Sequence, residues 1–137
     1  MGRIINTQSL STERNRLMKA MVIALREMGK QNSFTDESRD LAAFLAAALE
    51  TVAETVERSV EPWEKRGYWL KADRFRMDWA WVYPLARQMK KAVLEDDLAA
   101  IAQSAATLGG KLKEVEVPAK HRLGQPWLGA WEKLKTT

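Results

Sequence analysis

The sequence predicts an all-α fold: an antiparallel bundle of four main helices, the third kinked, with a short aromatic C-terminal segment packed back on it. Three observations lead there. Apolar residues recur in steps of three and four along most of the chain, the period of one helix face. Glycine and proline are sparse, seven and four in 137 residues, which leaves little room for long irregular segments. Residues that cap helices stand just before several of the periodic runs. A chain of this length needs only one core. Residues 1–137 are therefore read as a single helical domain, with loose ends expected at 1–9 and 134–137.

The first helix is announced by SLSTERNRLMKAMVIALREMG, where Ser11 or Thr12 can accept from free amide donors and Gly29 suits the left-handed position after the last turn. Leu10, Leu17, Met18, Met21, Val22, Leu25 and Met28 form its apolar stripe. The second helix starts at Thr35 as N-cap, with Asp36 and Glu37 in the first turn and Phe34 packing back as a staple. Leu41, Phe44, Leu45, Ala48, Leu49, Val52, Val56 and Val60 mark its inward face. Proline inside a helix costs about 3 kcal/mol, so Pro62 is expected to end or kink this helix near 59–62.

The third helix is expected from Tyr68 or Leu70 to Leu94, kinked at Pro84. Tyr68, Ala72, Phe75, Trp79, Val82, Ala86, Met89 and Val93 keep one register across that proline. An alternating strand through Trp79, Trp81 and Tyr83 is the competing reading, and the flanking charges and the long register favour the helix. Leu98, Ile101, Ala102, Ala105 and Leu108 point a fourth helix inward until Gly109 and Gly110 stop it. Beyond it, Pro118, Gly124 and Pro126 interrupt the tail, and Trp127 and Trp131 share one face of a final turn or two.

Composition narrows the chemistry. The chain has no cysteine, which removes disulfides, thiolate metal sites and thiol nucleophiles and fits a cytoplasmic location. No apolar run approaches a membrane span. The net charge of +4 is unevenly spread: residues 1–30 are basic and 31–60 acidic, as befits two helices that attract one another. His121, the one histidine, sits in a polar loop without a nucleophile motif, and Gly109-Gly110-Lys111 lacks the other elements of a phosphate loop. No cofactor and no catalytic residue are expected.

The stretch EPWEKRGYWLKADRFRMDWAWVYP, residues 61–84, stands apart because it holds four of the six tryptophans. On a helical wheel, Leu70, Met77, Trp81 and Leu85 form a second apolar patch opposite Phe75 and Trp79. It could be covered by the Trp127/Trp131 tail, by a second copy of the chain, or by another partner. The expected function is accordingly a non-enzymatic interaction or adaptor protein, self-associating as a dimer. Trp63, Trp69, Leu70, Met77 and Trp81 would make the contact surface, with Arg74 and Arg76 at its rim.

Two alternatives stand beside it. Glu54, Glu57, Glu61 and Glu64 share one side of the second helix, and in a small all-α enzyme or ligand-binding domain they could hold a divalent cation. Arg66, Lys71, Arg74 and Arg76 interleave with Trp63, Tyr68 and Trp69, a pattern suited to stacking single-stranded nucleic acid, although acidic residues nearly balance the local charge.

Overall fold

The computed structural model describes residues 7–136, and the all-α class holds: six helices and no strand among the described residues. They are α1 (Thr7–Gly29), α2 (Asp36–Lys65), α3 (Trp69–Asp78), α4 (Val82–Leu94), α5 (Leu98–Lys111) and α6 (Ala130–Lys135). Helix α2 is the organising element, packing against α1, α3, α4 and α6, while α5 lies mainly on α4. Its sequence explains this position. Alanines at 42, 43, 46 and 48 are buried among Leu41, Leu45 and Leu49, so neighbours approach closely on more than one side. Its start is closed by a reciprocal cap in which the Ser38 amide donates to Thr35 Oγ1 (3.3 Å) and the Thr35 amide donates to Ser38 Oγ (3.0 Å).

Several boundaries differ from expectation. Helix α1 begins at Thr7, before the expected caps at Ser11 and Thr12 and inside the segment 1–9 expected to be loose; residues 1–6 lie outside the described residues. Helix α2 runs through Pro62 to Lys65. The proline sits in the final turns, where it removes only the bond to the carbonyl of residue 58. The chain actually leaves the helix at Gly67 (φ +78), where the Gly67 amide donates to Glu64 O (3.0 Å) and the Tyr68 amide to Trp63 O (2.8 Å). That pair of bonds is a Schellman closure, which needs the left-handed residue glycine supplies.

The expected third helix is two helices. It breaks at 79–81, ahead of Pro84, and the proline falls in the first turn of α4. There the missing amide hydrogen forfeits no bond within the helix, so Pro84 is accommodated at a helix start where a kink was expected. The register nevertheless survives the break: Ala72, Val82, Ala86, Met89 and Val93 are buried and Phe75 and Trp79 half-buried. Tyr68, expected in that register, is exposed.

Asp97 caps α5 by accepting from the Ala100 amide (3.1 Å), and α5 continues past Gly109 and Gly110 to Lys111. Ile101, Ser104 and Leu108 face inward, whereas Leu98 and Ala102 are exposed. The tail crosses the body on Leu112 and Val117 and ends with Trp127 buried to 1% exposure. Asp40 on α2 accepts from the amides of Gly129 (3.0 Å) and Trp131 (2.9 Å), which docks α6. Leu134 is buried in α6, so order extends into the expected loose end at 134–137; Thr137 lies outside the described residues. No helix among the described residues is long and apolar enough to cross a membrane.

Candidate interaction surface

Helix α3 is attached to the body in an unusual way. Of its ten residues only Ala72 is fully buried, so the apolar burial that normally holds a helix is scant here. Polar and aromatic contacts supply the rest. Arg76 reaches back to α2, with Nη1 2.7 Å from Glu64 Oε2, Nη2 3.1 Å from Glu64 Oε1 and Nη2 3.2 Å from Glu57 Oε1. Tyr83, on α4, donates its hydroxyl to Glu57 Oε2. Three helices thus meet at one ionic cluster.

The electrostatics follow from these contacts. Glu64 and then Glu57 hold the Arg76 guanidinium well above its ordinary value. The Arg76 bond holds the Glu64 carboxyl below the usual range, against some desolvation. Desolvation pushes the Glu57 carboxyl up, but the Arg76 and Tyr83 donors together outweigh it and leave it lowered. Burial, and then the bond to Glu57, pushes the Tyr83 phenol up to about 12.

Beside the cluster runs a chain of rings. Trp63 meets Phe75 edge to face (5.3 Å between centroids), Phe75 meets Trp79 (6.4 Å), and Trp79 stacks on Trp81 (6.2 Å). Cations lie over these faces: Lys71 over Trp63 at 4.5 Å, and Arg14 over both Phe75 (5.0 Å) and Trp79 (5.2 Å). Arg14 is only 6% exposed and has no carboxylate within ion-pair distance among the described residues. Its Nη1 donates to Thr55 Oγ1 (3.1 Å) and Ser59 Oγ (3.4 Å), whose own hydrogens go to the α2 carbonyls of Val52 and Thr55. Burial lowers the Arg14 pKa. Sequence reasoning misses this residue, although a signal for it exists: an arginine set within the apolar stripe, between Leu10 and Leu17.

The residues singled out from sequence separate into three sets. Trp69, Leu70 and Met77 are 59%, 64% and 75% exposed and share the outer face of α3 with Arg74. With Trp63 and Tyr68, several of them border an open groove of about 680 Å³. Arg76 is not a rim residue, because Glu57 and Glu64 occupy its guanidinium. Trp81 does not join Leu70 and Met77: the helix break turns it inward onto Trp79, and Leu85 goes into the core. The Trp127/Trp131 tail offers no cover for α3, since it packs on α2 beside Asp40 and under Arg39, whose guanidinium lies 5.3 Å from the Trp131 ring.

The alternative sites are rearranged as well. Of the four glutamates, Glu57 and Glu64 are held by Arg76 and Glu61 pairs with Lys65 (3.1 Å). Among the described residues no three histidine, aspartate or glutamate side chains gather closely enough to hold a metal ion. Trp63, Phe75, Trp79 and Trp81 spend their faces on one another, which leaves Tyr68 and Trp69 as the rings of this region open to a base. His121 is exposed, with Nδ1 accepting from the Leu123 amide at 3.3 Å. Comparison with protein-family models, with curated proteins and with solved structures gives no match, so any function must be argued from this geometry.

Proposed function

We propose that the protein is a non-enzymatic interaction module that docks a protein partner on the outer face of α3, in the reducing cytoplasm that suits a cysteine-free chain. One observation carries the reading: Tyr68, Trp69, Leu70 and Met77, four of the seven large apolar side chains exposed among the described residues, fall within ten positions of one another. Scattered exposed hydrophobics need no explanation, but this concentration on one short segment, with Tyr68, Trp69 and Leu70 lining one groove, supports a contact site. Tryptophan and tyrosine suit it further, since they anchor interfaces at small entropic cost. The Arg76 cluster supports the same reading, because it presents α3 on a fixed base while leaving the outer face uncommitted.

The test is site-specific photo-crosslinking in the cells that make the protein. A photoreactive residue at Leu70 or Met77 is expected to give discrete protein adducts, and one at the exposed Lys113 none. Adducts at neither α3 position would remove this function.

A further inference from the structure

The outer face of α3, taken as the docking surface on which this inference rests, carries its own complement. Leu70 and Met77 stand seven residues apart, the interval at which a stripe returns to the same line in a parallel helix pair. Asp73 and Arg74 lie between them, both exposed. At about 100° per residue they fall on opposite flanks of the Leu70–Met77 line. Among the described residues neither side chain has a hydrogen-bond or ion-pair partner, and α3 is attached to the body through Arg76, Phe75 and Lys71 instead.

We propose that the occupant of this face is a second copy of the chain, seated by a two-fold axis running along α3. That operation sets Leu70 against the partner subunit's Leu70 and Met77 against the partner's Met77. It also turns each flank of one helix toward the opposite flank of the other. Arg74 then meets the partner's Asp73, and Asp73 meets the partner's Arg74, so one symmetry element makes two reciprocal ion pairs. The body lies on the other side of α3, which faces it through Ala72, Phe75 and Arg76, away from Leu70 and Met77.

Charge argues against other occupants. Lys71, Asp73, Arg74 and Asp78 cancel, which gives no field to attract a nucleic acid strand or an anionic lipid surface. A peptide of one sign would leave either Asp73 or Arg74 opposite its own charge. A second copy satisfies both.

Sedimentation equilibrium of the full chain tests this, over about 1 to 500 µM, which spans weak to moderate affinities. A monomer–dimer equilibrium is expected, and Leu70→Asp is expected to weaken it by at least about tenfold through its burial of a charge at the centre. Arg74→Asp and Asp73→Arg should each weaken the homodimer by about tenfold or more, since each sets like charges against one another twice. An equimolar mixture of those two variants should dimerise again, because the heterodimer carries both pairs with their signs restored. Thermal melts of the three variants matching the parent's in dilute protein, where the parent is dissociated, establish that the fold is intact.

A monomer throughout the range, a dimer indifferent to Leu70→Asp, or a mixture no better associated than its components would overturn the proposal. If the chain is monomeric while crosslinks from Met77 capture a different protein, the second copy is wrong and the docking surface stands. If crosslinks are also absent, both readings fall.

Discussion

Arg76 on α3 and Glu64 on α2 form a two-pronged ion pair, 2.7 and 3.1 Å between the guanidinium nitrogens and the carboxylate oxygens. Twelve residues apart in sequence, they close the turn at Gly67 like a clasp. The pair matters because α3 buries so little: beside the Arg76 bonds, only Ala72, the ring contacts of Phe75 and the Lys71 contact with Trp63 hold the helix down among the described residues. A planar fork matched to a carboxylate is also a geometry lysine cannot reproduce.

Arg76→Ala should therefore loosen α3 without unfolding the bundle. Amide hydrogen exchange over residues 69–78 is expected to speed up by about tenfold, local opening being cheaper than global unfolding. Exchange in α2 between Leu41 and Val56, deep in the core, should be unchanged. Uniform acceleration throughout would show that the clasp serves the whole fold instead.

The same cluster gives the protein two pH limits of opposite sign. Glu57 and Glu64 have folded pKa values below their unfolded ones, so their stabilisation is present above the unfolded value of about 4.3 and is lost as pH falls through the folded values. A Glu57→Gln/Glu64→Gln variant should be less stable than the parent at pH 7 in urea titrations, with the gap vanishing in acid. Tyr83 is the reverse case. Its pKa is raised to about 12, so its contribution is complete below the unfolded value near 10 and disappears as pH rises through the folded one. In a Tyr68→Phe background Tyr83 is the only tyrosine, and its ultraviolet titration midpoint should fall toward 10 when Glu57→Gln is added.

Arg14 presents a buried guanidinium held by two hydroxyls and two ring faces, with no carboxylate partner among the described residues. Desolvating a charge costs free energy that hydroxyls and rings only partly offset. Thr55 and Ser59 keep their bonds to α2 carbonyls when Arg14 is removed, so no buried donor is stranded. Arg14→Met should consequently leave stability within about 1 kcal/mol of the parent, or raise it. Arg14→Ala should cost about 2–4 kcal/mol, through the cavity opened beside Phe75 and Trp79. Urea denaturation of the two variants separates packing from charge.

Two tryptophans should behave oppositely. Trp127 is 1% exposed, and Trp127→Ala is expected to cost about 3–5 kcal/mol as a large cavity in the core. Trp69 is 59% exposed, and Trp69→Ala should move stability by no more than about 0.5 kcal/mol. Thermal denaturation of the dilute protein checks both, since any effect of Trp69 on association is then suppressed.

Much of the architecture is legible in the sequence because helical periodicity is a local property. The α2 face from Leu41 to Val60 reads directly from spacing, and so do the Thr35 and Asp97 caps, whose partners lie three residues away. Structure and expectation part where an outcome depends on distant groups. Pro84 reads as a kink because its register partners continue beyond it. Whether a proline bends a helix or starts one depends on where the preceding helix ends, and here the chain breaks at 79–81, where Trp79 and Trp81 stack on one another. Arg76 reads as a rim residue because nothing local says which carboxylate a long side chain will find.

By itself the sequence determined the helical class, most of the inward faces, and the concentration of apolar and charged side chains between Trp63 and Trp81. Those follow from intrinsic periodicity, capping chemistry and composition, all of which act within a few residues. Only the tertiary structure decided which of these aromatic residues are spent on the fold. Trp63, Phe75, Trp79 and Trp81 close on one another under Arg14, while Trp69, Leu70 and Met77 stay outside. The physical reason is that a short helix has two sides with similar apolar content. The buried side is the one that meets long-range partners, Glu57 and Glu64 for Arg76 and the Arg14 guanidinium for Phe75, none of them within reach of a local reading.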